Sequence, residues 1–195
     1  MRRWGHRAGY QSSCIHRQPG APTGAQAQYA RIPLADGTLV ATPGMPPEDM
    51  IPGLLAASDV LGTGWFGAVA AETGPGKTVA VVGDGAVGLL AVLAAKQLGA
   101  ERIIAMSRYE SRQRLAREFG ATEIVTERGE EGAAQIKELT GGLGAHSVVE
   151  AVGTQESMMQ AIRPTWAGGH VGFVGVLHDA EIPGSKLAPR GFSRG

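Results

Sequence analysis

The sequence predicts an α/β chain built on a doubly wound parallel sheet, and three observations carry that expectation. From Lys77 onward, apolar runs rich in β-branched residues alternate with segments of helical period. The joining loops are short and glycine-bearing, as in right-handed βαβ units. Between Val79 and Leu90 the chain reads as a buried strand, a glycine turn and the start of a helix in one sweep.

Taken in order, residues 1 to about 30 show no period, only scattered arginines and a Pro- and Gly-rich stretch from Gln18 to Gly24. Ala27 to Ile32 reads as a short strand, Ala35-Asp36-Gly37 as a turn, and Thr38 to Ala41 as a second extended piece. Pro43, Pro46 and Pro47 then mark a boundary. Glu48 to Ala71 reads as helical, but Gly62, Gly64 and Gly67 predict breaks where backbone comes close to another element.

Lys77 to Val82 is the first buried strand, and Val87 to Leu98 carries Leu, Val and Ala at helical spacing until Gly99 stops it. The alternation continues with strands at Arg102 to Met106, Glu123 to Val125, Ser147 to Ala151 and His170 to Val176. Helices fall between them at Glu110 to Phe119, Glu131 to Leu139 and Gln155 to Ile162, the last with Met158 and Met159 as core side chains. That makes five strands of a fold whose complete form has six. From Gly184 to Gly195 no strand pattern appears, so the sixth strand is expected to be missing.

The turn at Gly83-x-Gly85-x-x-Gly88 has the spacing of a dinucleotide fingerprint, with Val87 inside it. Each glycine has its own task. Gly83 turns the chain out of the strand, Gly85 lets backbone approach a pyrophosphate, and Gly88 lets helix pack closely on strand. The helix N-terminus then offers free N–H groups and positive potential to the phosphates. Thirty glycines in 195 residues make such a pattern cheap, so its place between a strand and a helix carries the weight. Gly76-Lys77-Thr78 resembles the end of a P-loop, but a strand follows it where a P-loop needs a helix.

At the end of the second strand, an NAD-preferring site places Asp or Glu for the ribose hydroxyls. This chain has Ser107-Arg108 there, with Arg112 one helical turn on. A hydroxyl beside a guanidinium suits a 2′-phosphate, which favours NADP(H) over NAD(H). The plain alternative is a solvated helix face, the better reading for Arg114.

Balanced charge, 18 basic against 18 acidic residues, gives no ground for a nucleic-acid or membrane partner. No apolar run of about 18 residues is present, nor a signal-peptide core, so a cytoplasmic location is expected. The single cysteine, Cys14, has no internal partner for a disulfide. His146, His170 and His178 read as polar strand ends, and Glu150 as a hydrogen-bonded group near the cofactor crevice. Asp59 alone reads as a helix cap.

Gly74 to Gly88, with Leu98-Gly99-Ala100, Gly120-Ala121-Thr122, Ser58 to Gly67 and Gly168 to Val176, resembles the zinc-type alcohol dehydrogenases of the medium-chain dehydrogenase family. The resemblance runs from about Ala27 to His178. It implies hydride transfer between NAD(P) and a small alcohol or carbonyl, with Asp59 as a ligand of a catalytic zinc and Thr63 against the nicotinamide. It also implies that Val152 and Val174 hold the nicotinamide ribose and carboxamide. Residues 1–47 then correspond to the remnant of an N-terminal barrel-like catalytic domain, 48–183 to the dinucleotide-binding domain and 184–195 to an irregular tail.

The other catalytic zinc ligands of that family are expected before Met1. Cys14 resembles the last cysteine of a structural-zinc lobe, whose preceding positions here hold His6 and Arg3, too few ligands to close a site. Two other readings stay open: a non-catalytic dinucleotide-binding remnant, and a zinc-independent quinone or enoyl reductase. An unpaired strand edge and an uncovered face predict self-association, so a homo-oligomer is possible on these grounds.

Overall fold

The computed structural model describes residues 32, 34–176 and 181–182. Two compact units divide the chain, Met1–Glu48 and Asp49–Gly195. In the first, the described part contains a single helical turn, α1 (Ala35–Thr38), which follows Leu34 in the left-handed region. The turn and extended piece expected at residues 35–41 are therefore replaced by this turn and irregular backbone. No neighbouring strand pairs with Thr38 to Ala41 among the described residues, and an unpaired run of this length has no ladder to hold it extended. The strand expected at Ala27 to Ile32 and the tail from 184 onward lie outside the described residues.

The second unit holds a five-stranded parallel sheet in the order β3-β2-β1-β4-β5. The strands are β1 (Thr78–Val82), β2 (Arg102–Met106), β3 (Glu123–Val125), β4 (Ala145–Glu150) and β5 (Thr165–Phe173). Helices α4 (Ala86–Gln97), α5 (Glu110–Phe119), α6 (Gly129–Leu139) and α7 (Gln155–Ile162) connect them in turn. This is five-sixths of the strand order of a doubly wound dinucleotide fold.

Alternation along β1 explains the two layers. Val79 and Val81 point to one face and join Leu89, Val92 and Ala95 of α4 and Ala116 of α5. Ala80 and Val82 point to the other and join Ile136 of α6 and Ala161 of α7. All five β1 residues are buried, which is why the strand is a continuous apolar run rather than a polar-apolar alternation. Arg102 and Glu123 close the outer pair of strands with a two-pronged ion pair, both N–H···O distances 2.9 Å.

Before the sheet come a 3-10 turn (Glu48–Met50), α2 (Ile51–Ala57) and α3 (Val60–Ala70). The helix break falls at Ser58-Asp59, and Gly62, Gly64 and Gly67 all lie inside α3. Two of these glycines do mark close approach, without a break. A Cβ at Gly64 would fall 2.7 Å from the Ala91 nitrogen of α4, and one at Gly67 would meet Val149 and Val174. Trp65, Phe66 and Val69 of α3 stay exposed.

Strand β5 starts five residues earlier than its apolar pattern predicts. Its first half pairs through an irregular register at Ala145 and Ser147, and Gly168 there has φ +82°. Such a bulge interrupts the two-residue period on which the prediction rests.

Candidate functional site

Gly83 leaves β1 with φ +116°, a conformation that L side chains rarely adopt. Its turn is seated against the β4–α7 loop, where a Cβ would lie 2.9 Å from Val152 Cγ2. Gly88, in the first turn of α4, faces the Gly83 carbonyl so closely that a Cβ would overlap it. Gly85 is different. It has ordinary extended backbone at the N-cap of α4, and a Cβ there would meet nothing within 4 Å. The turn and the packing contact are built into the fold, whereas the space at Gly85 is left open toward solvent.

No side chain caps α4. The first N–H groups of a helix have no intrahelical acceptor, so they and the positive end of the dipole face the same open space. A crevice of about 330 Å³ lies there, lined among others by Gly83, Asp84, Gly85, Val152, Arg112 and Arg128. It sits outside the carboxyl ends of β1 and β4, where the strand order reverses. That switch point is where open α/β sheets bind their ligands. The open cradle and uncapped helix fit a pyrophosphate.

At the end of β2, Ser107 is 2% exposed and donates its hydroxyl to Asp84 Oδ2 at 2.9 Å. Arg112 donates to Asp84 Oδ1, also at 2.9 Å, and its guanidinium lies 5.6 Å from the Tyr109 ring centre. Arg108 is exposed. Of the three residues predicted to hold a 2′-phosphate, two are thus gathered on one carboxylate and the third stands in solvent. Asp84 and Arg128 escape the sequence reading. Asp84 stands inside the fingerprint itself, but its partners are 23 and 28 residues away, and only the fold brings them together.

On the other side of the crevice, Glu150 is fully buried at the end of β4. Its Oε1 accepts the N–H groups of Val152 and Gly153, each at 2.8 Å, and Oε2 has no hydrogen-bond partner. The Glu150 backbone carbonyl accepts from Val174 N–H at 2.9 Å. One residue therefore fixes both Val152 and Val174, and it is a hydrogen-bonded group as its sequence position predicts. Val87 is half-buried in the first turn of α4.

The structure brings Asp59 and Thr63 together. Thr63 donates its hydroxyl to Asp59 Oδ1 at 3.2 Å. Asp59 is exposed, and although it stands at the N-cap position of α3 its side chain makes no cap hydrogen bond. The crevice lining includes neither residue. Among the described residues, no three His, Cys, Asp or Glu side chains cluster as a metal site, so these residues alone do not build the zinc centre. His6 and Cys14 lie outside the described residues.

Two histidines, His146 at the amino end of β4 and His170 inside β5, have other partners. His146 Nδ1 accepts the Thr78 N–H at 3.0 Å, and His170 Nε2 lies 3.2 Å from Glu72. No single helix is long and apolar enough to cross a membrane among the described residues.

The reversal of strand order above a glycine turn and an uncapped helix defines a dinucleotide-type α/β domain. The zinc-binding dehydrogenase family matches residues 86–193, more than half of the chain, and the chain belongs to that family. An alcohol dehydrogenase of Cupriavidus necator is 33% identical over 181 residues, covering 92% of this chain and 49% of the relative. An NADP-dependent isopropanol dehydrogenase of Entamoeba histolytica is 35% identical over 156 residues, 78% of this chain and 42% of the relative. Among solved structures, a zinc-dependent alcohol dehydrogenase from Streptococcus pneumonia superposes with a TM-score of 0.73 at 32% identity. It covers 82% of this chain and 46% of that one. The chain thus spans about half the length of the relatives it matches.

Proposed function

We propose that this chain is the cofactor-binding part of an alcohol dehydrogenase, serving hydride transfer between NADP(H) and a small alcohol or carbonyl. The observation that carries the reading is the open cradle at Gly85, with an uncapped helix N-terminus beside it at the switch point. The relatives' names, which include an NADP-dependent isopropanol dehydrogenase, agree with it.

In this reading the free N–H groups at the start of α4, around Ala86 and Val87, receive the pyrophosphate, and Gly85 gives it room. Arg108 meets the 2′-phosphate, while Ser107 and Arg112 stand beside it, bonded to Asp84. Val152 and Val174 present backbone groups to the nicotinamide end, held in place by Glu150. The bound nicotinamide supplies the hydride chemistry; the protein supplies position and electrostatics. Thr63 lies on the substrate side in this proposal. Asp59 contributes a single metal donor, an oxygen ligand of ordinary type for zinc. No step is assigned to the metal, because the described residues hold no complete site. A cytoplasmic, homo-oligomeric protein is the setting that goes with this reading.

The purified chain titrated with NADPH and NADH by nicotinamide fluorescence, alongside its zinc content, tests the proposal. Saturable binding with zinc near one equivalent per chain supports the dehydrogenase. Binding without metal or turnover supports the alternative, a dinucleotide-binding module. No binding of either nucleotide overturns both.

A further inference from the structure

We propose that Asp84 is a specificity-determining residue, a counter-charge that holds Arg112 and Ser107 back from a 2′-phosphate and thereby admits NAD(H) beside NADP(H). The proposal rests on the dinucleotide reading of the crevice and adds to it the residue that sets the choice of nucleotide.

The geometry makes this case. Asp84 stands between Gly83 and Gly85, and is only 8% exposed. A carboxylate at a turn that faces phosphates is electrostatically costly unless paired. Here both oxygens are paired, Oδ2 with Ser107 and Oδ1 with Arg112. The Ser107 position, at the end of β2, is where a ribose-binding acid stands in NAD-preferring folds. This chain has no acid at that place in sequence, yet Asp84 sets a carboxylate within hydrogen-bond reach of it in space.

Charge decides the consequence. A phosphate monoester carries about −1.5 to −2 charge near neutral pH. Arg112 would meet it as a free fork-shaped donor, but its charge is already met by Asp84 at 2.9 Å. Arg128 and Glu156 also line the crevice, one of each charge. Arg108 is left as the exposed cation at the end of β2. A ribose with a free 2′-hydroxyl meets no such mismatch, since a carboxylate accepts from hydroxyls.

Direct titration of NADPH and NADH on wild type, Asp84→Asn and Asp84→Asn/Arg112→Met tests this. The wild type is expected to bind the two nucleotides with dissociation constants within about tenfold of each other. Asp84→Asn keeps the shape, frees Arg112 and is expected to shift the ratio about tenfold toward NADPH. Adding Arg112→Met returns the ratio to near the wild-type value. A ratio unchanged by Asp84→Asn overturns the proposal, as does a shift that survives loss of Arg112. A wild-type preference for NADPH above about a hundredfold overturns it with no variant needed. Should Asp84→Asn fail to fold, Asp84→Ser is read in its place. Absence of any nucleotide binding to wild type is a failure of the underlying site instead.

Discussion

Gly88 packs so closely on the carbonyl of Gly83 that no side chain fits between them. This contact joins the first turn of α4 to the end of β1 and fixes the direction in which the helix N-terminus points. Gly88→Ala is therefore expected to damage fold and binding together. Relief of the overlap costs about 1–3 kcal/mol, which lowers the melting temperature by roughly 2–4 °C for each kcal/mol in a chain of this size. Thermal melting and a nucleotide titration read the two effects side by side.

Arg108 lies at the end of β2 with its side chain in solvent, outside the Asp84 cluster. Arg108→Asp is expected to weaken NADPH at least about tenfold more than NADH, the size of one charge-assisted hydrogen bond. Parallel titrations check it. Equal losses for the two nucleotides would mean that Arg108 does not meet the 2′-phosphate.

Glu150 holds two backbone N–H groups on one oxygen. Glu150→Ala leaves both without that acceptor, at about 1–3 kcal/mol for each donor that water does not reach. Glu150→Gln keeps an acceptor oxygen in the same place. Melting curves are expected to show a clear fall for Ala and a much smaller one for Gln. If both substitutions are equally mild, the buried carboxylate is not what anchors the Val152 loop.

Asp59 makes no cap hydrogen bond in α3, and its visible partner is the Thr63 hydroxyl. Asp59→Ala is accordingly expected to change stability by less than about 0.5 kcal/mol, as at exposed positions without a structural role. A larger loss on melting would give Asp59 the capping role after all.

Much of the sheet was legible because its strands and helices obey simple periods. Arg102–Met106, Glu110–Phe119, Glu123–Val125 and Gln155–Ile162 have the bounds that the pattern predicts. Prediction failed where tertiary contact outweighs local period. Thr38 to Ala41 has strand-forming residues but no neighbouring strand among the described residues, and the start of β5 is shaped by a bulge against β4. The glycines of the fingerprint could be read from spacing, and Arg108 from its distance beyond them. Asp84 could not, because a carboxylate between two glycines acquires meaning only when Ser107 and Arg112 fold against it.

The central claim is that the open space at Gly85 is kept for a dinucleotide. Gly85→Ala tests it most directly, since the backbone there is ordinary and an added Cβ meets no protein atom within 4 Å. Replacing Gly by Ala at an N-cap typically costs about 1 kcal/mol, so the fold should survive. The expected result is a melting temperature within a few degrees of wild type, roughly 2–4 °C per kcal/mol, with the NADPH dissociation constant raised about tenfold or more. An unchanged dissociation constant in a well-folded Gly85→Ala protein would contradict the claim.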